Sequence, residues 1–259
     1  MKRLLLNLLE SIWSMLPSRV KVHLIQSRAN VGFLDTQRKQ IVMAVESIDS
    51  LNRLSSCQKE PETIRWIDAN VKKGDVLFDI GANVGAYSLY AAAVTEAKVY
   101  SFEPSSSTFS LLLKNIYLNK LSDLIVPFNM PLSSRSDMKE FVYSTLDSGS
   151  AIHTGLEKPA TVGGIHQPML SVSLDDLIQK YHVPLPNHMK IDVDGHEMEI
   201  IHGATGILKN NSLRSVQIEL TSTDKDYALI VGLLEECGLR IGQTNKHPHS
   251  PHTDIVFVR

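Results

Sequence analysis

From Val76 onward, short apolar runs alternate with longer stretches whose apolar residues recur every three or four positions. The run Val76-Leu77-Phe78-Asp79-Ile80 is broken only by Asp79 and bounded by Gly74 and Gly81, the pattern of a strand buried on both faces of a parallel sheet. Residues 87–94 read as a helix, 99–102 as a second strand, 106–118 as a helix and 124–128 as a third strand. The rhythm lapses over about 132–167, where Gly149, Gly155, Gly163 and Gly164 stand among many Ser and Thr and only 140–143 resembles a strand. It resumes with a strand at 169–172, a helix at 174–181, a strand at 189–193, a helix over about 197–208, a strand at 215–220 and a helix at 227–236. Residues 239–242 and 254–258 read as a hairpin-like pair closing the sheet. Strands alternating with helices predict βαβ units, right-handed crossovers and an α/β fold around a parallel sheet.

Before this block, 62–71 reads as a short amphipathic helix ended by Lys73-Gly74, and residues 1–60 read as helical without strong strand signals. The organisation expected is an N-terminal helical extension, 1–60, and one domain over 61–259, whose insertion at about 132–167 has the length of a lid or substrate loop, or else of a disordered segment. Leu5, Leu8, Leu9, Ile12, Trp13 and Leu16 fall on one helical face, in a stretch too short to span a bilayer. Two readings stay open for it: packing on the main domain or on a second subunit, as in a homo-oligomer, or an interfacial helix whose Trp13, Lys2, Arg3, Arg19 and Lys21 touch lipid headgroups. The polar face lacks the basic richness usual at a membrane surface, which favours packing. Pro17, Ser18 and Arg19 follow in place of a small-residue cleavage site, so no cleaved signal peptide is expected.

Composition narrows the partners. With 43% hydrophobic and 21% charged residues, the chain can bury a full-sized core. A formal net charge of -2 lacks the basic excess of a nucleic-acid binder. Cys57 and Cys237 are the two cysteines, too few for a disulfide framework or a four-cysteine zinc site, so a reducing, cytoplasmic setting is expected.

The segment Asp79-Ile80-Gly81-Ala82-Asn83-Val84-Gly85 stands where the first sheet strand passes into a helix. Glycines there allow a sharp turn and a close approach to a ligand, beside the free N–H groups of a helix start. A dinucleotide fingerprint places its second glycine at the position of Asn83, whose side chain would obstruct a pyrophosphate, and Asp79 would repel one. A cationic ligand without phosphate suits the acidic turn better, and S-adenosylmethionine is such a ligand. Glu103, 22 residues after Gly81 at the end of the second strand, matches the acid that accepts ribose hydroxyls in this architecture. The bland alternative is that Gly81 and Gly85 only shape a turn while Glu103 caps the next helix.

The run 76–85, together with Phe102-Glu103-Pro104, Leu174-Asp175-Asp176-Leu177 and Lys190-Ile191-Asp192-Val193-Asp194-Gly195-His196-Glu197, resembles the FkbM family of S-adenosylmethionine-dependent methyltransferases. The likeness covers about 62–259; Asp194 departs from it, the family more often carrying Glu. It implies a Rossmann-like class I methyltransferase with a mostly parallel seven-stranded sheet and helices on both faces. The implied activity is O-methylation of a hydroxyl on a sugar, a polysaccharide precursor or a secondary metabolite. Candidate cofactor contacts are Asp79, Gly81, Asn83, Gly85, Glu103, Pro104 and Asp192.

Asp192, Asp194, His196 and Glu197 stand where the strand at 189–193 meets its helix, and Glu219 ends the next strand, so all face the crevice beyond the strand tips. Methyl transfer to a hydroxyl needs an aligned oxygen, exclusion of water and a base for the proton. Asp192, Glu219, Glu197, His196 and, from the insertion, His153 are the candidate bases. Asp194 and Glu197 also fit helix caps. Asp192, Asp194 and Glu219 could instead gather Mg²⁺, though linear sequence does not establish convergence and no metal site is assigned. His247, His249 and His252, interleaved with Pro248 and Pro251, read as a solvated loop. The rivals are a domain that binds the cofactor without catalysis, with Asp192 and Glu219 turned away from the cleft, and a nicotinamide oxidoreductase.

Overall fold

Along the chain, β1 (Val31–Phe33) and β2 (Val42–Ala44) precede α1 (Ile48–Asn52), α2 (Ser56–Lys59) and α3 (Pro61–Asn70). Then come β3 (Val76–Ile80), α4 (Ala86–Thr95), β4 (Lys98–Phe102), α5 (Ser106–Leu118) and β5 (Ile125–Phe128). The insertion contributes β6 (Asp137–Tyr143), β7 (His153–Thr154) and β8 (Ile165–Ser171). The chain closes with α6 (Leu174–Tyr181), β9 (His188–Ile191), α7 (Glu197–His202), α8 (Thr205–Leu208), β10 (Ser215–Thr221), α9 (Tyr227–Glu236), β11 (Arg240–Lys246) and β12 (His252–Val258). This computed structural model describes residues 14–17, 30–143, 145–150, 153–154, 164–193, 195–221, 226–246 and 252–259. Leu4 to Trp13, which carry most of the leucine stripe, lie outside the described residues, as do Asp194, His247 and His249.

Period-two alternation in the central strands builds the layers. The sheet order is β11-β12-β10-β9-β3-β4-β5, parallel from β10 to β5, with β12 antiparallel to both of its neighbours. In β3, Leu77 joins a core with Leu89, Leu111, Leu112 and Trp66 from α3, α4 and α5. Phe78 and Ile80 point the other way, into a core with Leu177, Ile200, Ile207 and Ile230 from α6 to α9. The sheet is therefore covered on both faces, as its near-continuous apolar strands require.

Three expectations are corrected. The chain divides into compact units Met1–Val31 and Gly32–Arg259, so the boundary falls well before residue 60. Residues 32–60 contain β2 and part of β1, and Leu34, Ile41 and Met43 are buried in the main core, because their apolar faces need the sheet layer to cover them. The stretch at 132–167 is not loop throughout: β6, β7 and β8 form a three-stranded antiparallel sheet, which also takes the 169–172 segment expected in the main sheet. The helix expected over 197–208 breaks at Gly203, where a Cβ would lie 2.1 Å from the Ser133 carbonyl oxygen; the start of the insertion passes too close for any side chain.

Asn115 ties the N-terminal segment to the turn after β3. Fully buried, its Oδ1 accepts from the Ala44 N–H at 2.7 Å and its Nδ2 donates to the Val84 carbonyl at 2.8 Å. Removing the amide strands two buried backbone groups, at roughly 1–3 kcal/mol each. Asn115→Ala is expected to lower the urea unfolding midpoint by an amount equivalent to that loss; an unchanged midpoint would rule out the tie.

Candidate active site

The chain leaves β3 through three residues with positive φ, Gly81 at 81°, Asn83 at 50° and Gly85 at 91°. A Cβ on Gly81 would lie 1.8 Å from the Asp192 carbonyl oxygen, so only glycine lets the tips of β3 and β9 close on each other. The Gly81 and Ala82 N–H groups both donate to the Phe102 carbonyl at 3.0 Å, fastening the turn to the end of β4. Asn83 tolerates the left-handed region because its own Oδ1 accepts from the Val84 N–H at 2.8 Å. At Gly85, which heads α4, a Cβ would lie 2.4 Å from Leu112 Cδ1.

Below the turn, the parallel register aligns a polar row across four strands. Ser101, Asp79, Lys190 and Gln217 stand side by side on β4, β3, β9 and β10, all buried and all on the face covered by α3 and α4. Ser88 Oγ donates to Asp79 Oδ2 at 2.5 Å and lies 2.7 Å from Ser101 Oγ. Lys190 Nζ donates to Asp192 Oδ2 at 2.8 Å and stands 4.9 Å from the centre of the Tyr87 ring. Burial opposes the Lys190 charge, but the carboxylates of Asp192, Glu60 and Asp79 outweigh it and hold its pKa above that of a free lysine. Asp79 is pushed up by burial, with Lys190 and Ser88 offsetting only part of the effect.

Above the row lies a cavity of about 240 Å³. Of the residues expected at the site, Gly81, Asn83, Glu103, Pro104, Asp192, His196 and Glu219 line it. Asp79, Gly85 and Glu197 are not among its walls. Strand alternation turns Asp79 down into the α4 layer, and Gly85 serves the packing of α4 on α5. Glu197 begins α7, where its Oε1 accepts from the Gly195 N–H at 3.1 Å just ahead of the helix and its charge in the first turn suits the helix dipole. His153 lies on β7 opposite Tyr143; its side chain is outside what is described.

The acids differ in character. Burial pushes Glu103 up to about 7, although the Ser105 N–H at 2.8 Å and the Asn83 N–H at 3.0 Å each donate to one of its oxygens. It thus makes the helix-capping contact and borders the cavity at once. Burial pushes Asp192 up, but the charge and hydrogen bond of Lys190 prevail and hold it below the ordinary aspartate value. Glu219 is driven to about 8 by burial and by the neighbouring Asp192, Asp254 and Glu60 carboxylates. His252 Nδ1 lies 3.6 Å from Glu219 Oε2 and 3.2 Å from Thr221 Oγ1.

Sequence reading missed the walls supplied by Arg53, Lys59, Glu60, Phe141, Ser150 and His252. His252, expected in a solvated loop, opens β12, and antiparallel pairing with β10 carries it to the strand tip beside Glu219. Arg53 and Glu60 precede the βα pattern and give no signal in it; Phe141 lay within the one strand expected in the insertion. Among the described residues, no group of three His, Cys, Asp or Glu is placed to hold a metal ion, and Asp194 lies outside them. Among the same residues, no helix is long and apolar enough to cross a membrane.

Comparison with known proteins identifies the family and the fold. The Methyltransferase FkbM domain family matches residues 79–241. A hexuronic acid methyltransferase, AglP of Haloferax volcanii, is 30% identical over 195 residues, covering 75% of this chain and 76% of the relative. The solved structure of Methyltransferase FkbM from Methylobacillus flagellatus superposes with a TM-score of 0.50 at 12% identity, covering 83% of this chain and 56% of that one. The ribosomal protein L11 methylase of Lactobacillus delbrueckii gives a TM-score of 0.50 at 12% identity, covering 78% of each chain. The shared architecture is the Rossmann-like class I methyltransferase fold.

The raised acids have a measurable consequence. A carboxyl whose folded pKa lies above its unfolded value of 4.5 stabilises most below 4.5, and that contribution is lost as pH rises through the folded value. Between pH 6.5 and 8.5, Glu103 and Glu219 give up protons they hold in the folded state, so the thermal unfolding midpoint of the ligand-free protein falls. Glu219→Gln flattens that decline; a variant with the full wild-type slope would show that Glu219 is not protonated at neutral pH.

Proposed function

The chain belongs to the FkbM methyltransferase family, enzymes that draw on S-adenosylmethionine, and we propose that this member methylates a hydroxyl oxygen of a sugar or glycan precursor. The nicotinamide alternative falls with that family assignment. The observation carrying the proposal is the pair of unlike acids in one cavity: Asp192 held ionised by Lys190, and Glu219 raised to about 8 beside His252. Both border the cavity, the opposite of what a module without catalysis would need.

The residues present suit the donor. Glu103 has its two oxygens fixed by main-chain N–H groups, each with a lone pair left for a ribose hydroxyl. Ile80, Phe102, Met130 and Leu132 supply apolar wall. Asp192, ionised and fixed by Lys190, is the natural partner for the ammonium of the donor's amino-acid tail. S-adenosylmethionine supplies an electrophilic methyl group when bound. Every remaining requirement falls on the protein: to hold the acceptor oxygen in line, to exclude water and to take its proton.

Glu219 is the base in this reading. A carboxyl titrating near neutrality accepts a proton far better than one held low, which disfavours Asp192. His252, 3.6 Å from Glu219, and His196 border the same cavity and would orient the acceptor in this reading. The insertion adds Phe141 and Ser150 to the lining of the same cavity. A sugar acceptor is supported by the hexuronic acid specificity in the name of the Haloferax volcanii relative. A carboxylate acceptor would need no base, and the raised Glu219 favours a hydroxyl. The two free cysteines, Cys57 and Cys237, fit a reducing compartment, where we place the activity.

Glu219→Gln is expected to cut kcat by roughly 10²–10⁴ while donor binding by calorimetry stays within a few fold. In the wild type, kcat/KM rises with pH and levels off above about 8, and the variant loses that limb. Methyl label on the sugar product should survive mild alkali, as an ether does and an ester does not. Alkali-labile label, or a variant retaining most of its kcat, would overturn the assignment.

A further inference from the structure

The cavity is rich in acid. Glu60, Glu103, Asp192 and Glu219 border it, and against them stand two cationic walls, Arg53 and Lys59. Lys59 is largely exposed, and its Nζ lies 3.6 Å from Glu60 Oε1. Lys190 is not a wall residue; it is buried and committed to Asp192. Arg53 is different: half-buried, it begins the turn Arg53–Ser55 between α1 and α2, outside the stretch that matches the methyltransferase family.

What holds Arg53 in place is a backbone carbonyl. Its Nε and Nη2 both donate to the Gly149 oxygen at 3.2 Å. That loop is seated in turn by the Gly149 N–H on Thr108 Oγ1 at 3.2 Å and by Asn83 Nδ2 on the Gly149 oxygen at 3.3 Å. The guanidinium's hydrogen bonds go to a neutral carbonyl and not to a carboxylate, and three of its five N–H donors have no protein acceptor among the described residues. Its positive field reaches both Glu103 and Asp192, which also line the cavity. A fixed, half-buried guanidinium with donors to spare is built for a bidentate carboxylate.

We propose that Arg53 is the carboxylate-binding residue of this cavity, supplied by the segment before the family-matched domain. The inference rests on the reading that the cavity takes S-adenosylmethionine and a sugar, and two such carboxylates exist: that of the donor's amino-acid tail and that of a uronic acid acceptor. The wild-type protein, Arg53→Gln and Arg53→Lys are titrated calorimetrically with S-adenosylmethionine and with its decarboxylated analogue. With S-adenosylhomocysteine bound, each is then titrated with glucuronic acid and with glucose.

If the donor's carboxylate is the ligand, the wild type binds the decarboxylated analogue roughly 10- to 100-fold more weakly, and Arg53→Gln erases that difference. If the acceptor's carboxylate is the ligand, the same discrimination separates glucuronic acid from glucose and vanishes in Arg53→Gln. Arg53→Lys keeps the charge without the fork and retains part of the discrimination in either case. A merely structural Arg53 would weaken both members of a pair equally and leave the ratio intact. Ratios near one in the wild type, or ratios preserved in Arg53→Gln, would overturn the proposal while leaving donor binding standing. A wild type that binds no S-adenosylmethionine would overturn the underlying reading instead.

Discussion

The site depends on the approach of two strand tips. The backbone of Gly81 lies so near the Asp192 carbonyl that a single added carbon would overlap it. Closing that gap brings the turn after β3 against the end of β9, and the positive-φ path through Asn83 and Gly85 follows from the tightness of the bend. Once the turn is formed, its N–H groups reach Phe102 and Glu103 at the end of β4. Three neighbouring strand ends are thereby locked together, and the acids they carry are held around one space.

The polar row beneath that space is costly in isolation. Four buried side chains across the sheet include an aspartate and a lysine, and unpaired charges in such a place are strongly destabilising. Lys190 offsets the cost by serving Asp192 directly and Asp79 and Glu60 through its field. The consequence for chemistry is a division of labour: the acid nearest the lysine stays ionised, while Glu219, farther along the same face and opposite Asp254, rises toward neutrality. The cation holds one acid ionised, while burial and neighbouring carboxylates raise the other against its pull.

The cavity is completed by pieces outside the sheet. The Gly149 carbonyl receives donors from Arg53 and Asn83, so the segment before α3, the turn after β3 and the insertion meet at one oxygen. Ser47 Oγ also donates to the neighbouring Ser148 carbonyl at 2.5 Å. The insertion therefore forms a wall of the site rather than a loose appendage, and Lys139 and Glu199, 3.5 Å apart, pin its base to α7. The turn after β3 and the wall supplied by the insertion are joined through these contacts.

Local pattern determined much of this protein. The two-residue alternation of β3, β4, β9 and β10, the start of α6 at Ser173 and the glycines of the turn are all set by neighbours in the chain, through sterics and short-range hydrogen bonds. For the same reason Gly81, Asn83, Glu103, Asp192 and Glu219 could be picked out as one group: each ends a strand or starts a turn, and parallel strands deliver their tips to one edge. Which acid is ionised could not be read there, because that depends on Lys190 lying across the sheet face and on burial, which are properties of packing. Nor could Arg53, Phe141 and His252, whose place at the site is decided by long-range pairing: the Gly149 carbonyl for the first, the antiparallel sheet of the insertion for the second, the β10–β12 register for the third. A side chain's face is local information, whereas its electrostatic company is assembled only when distant segments meet.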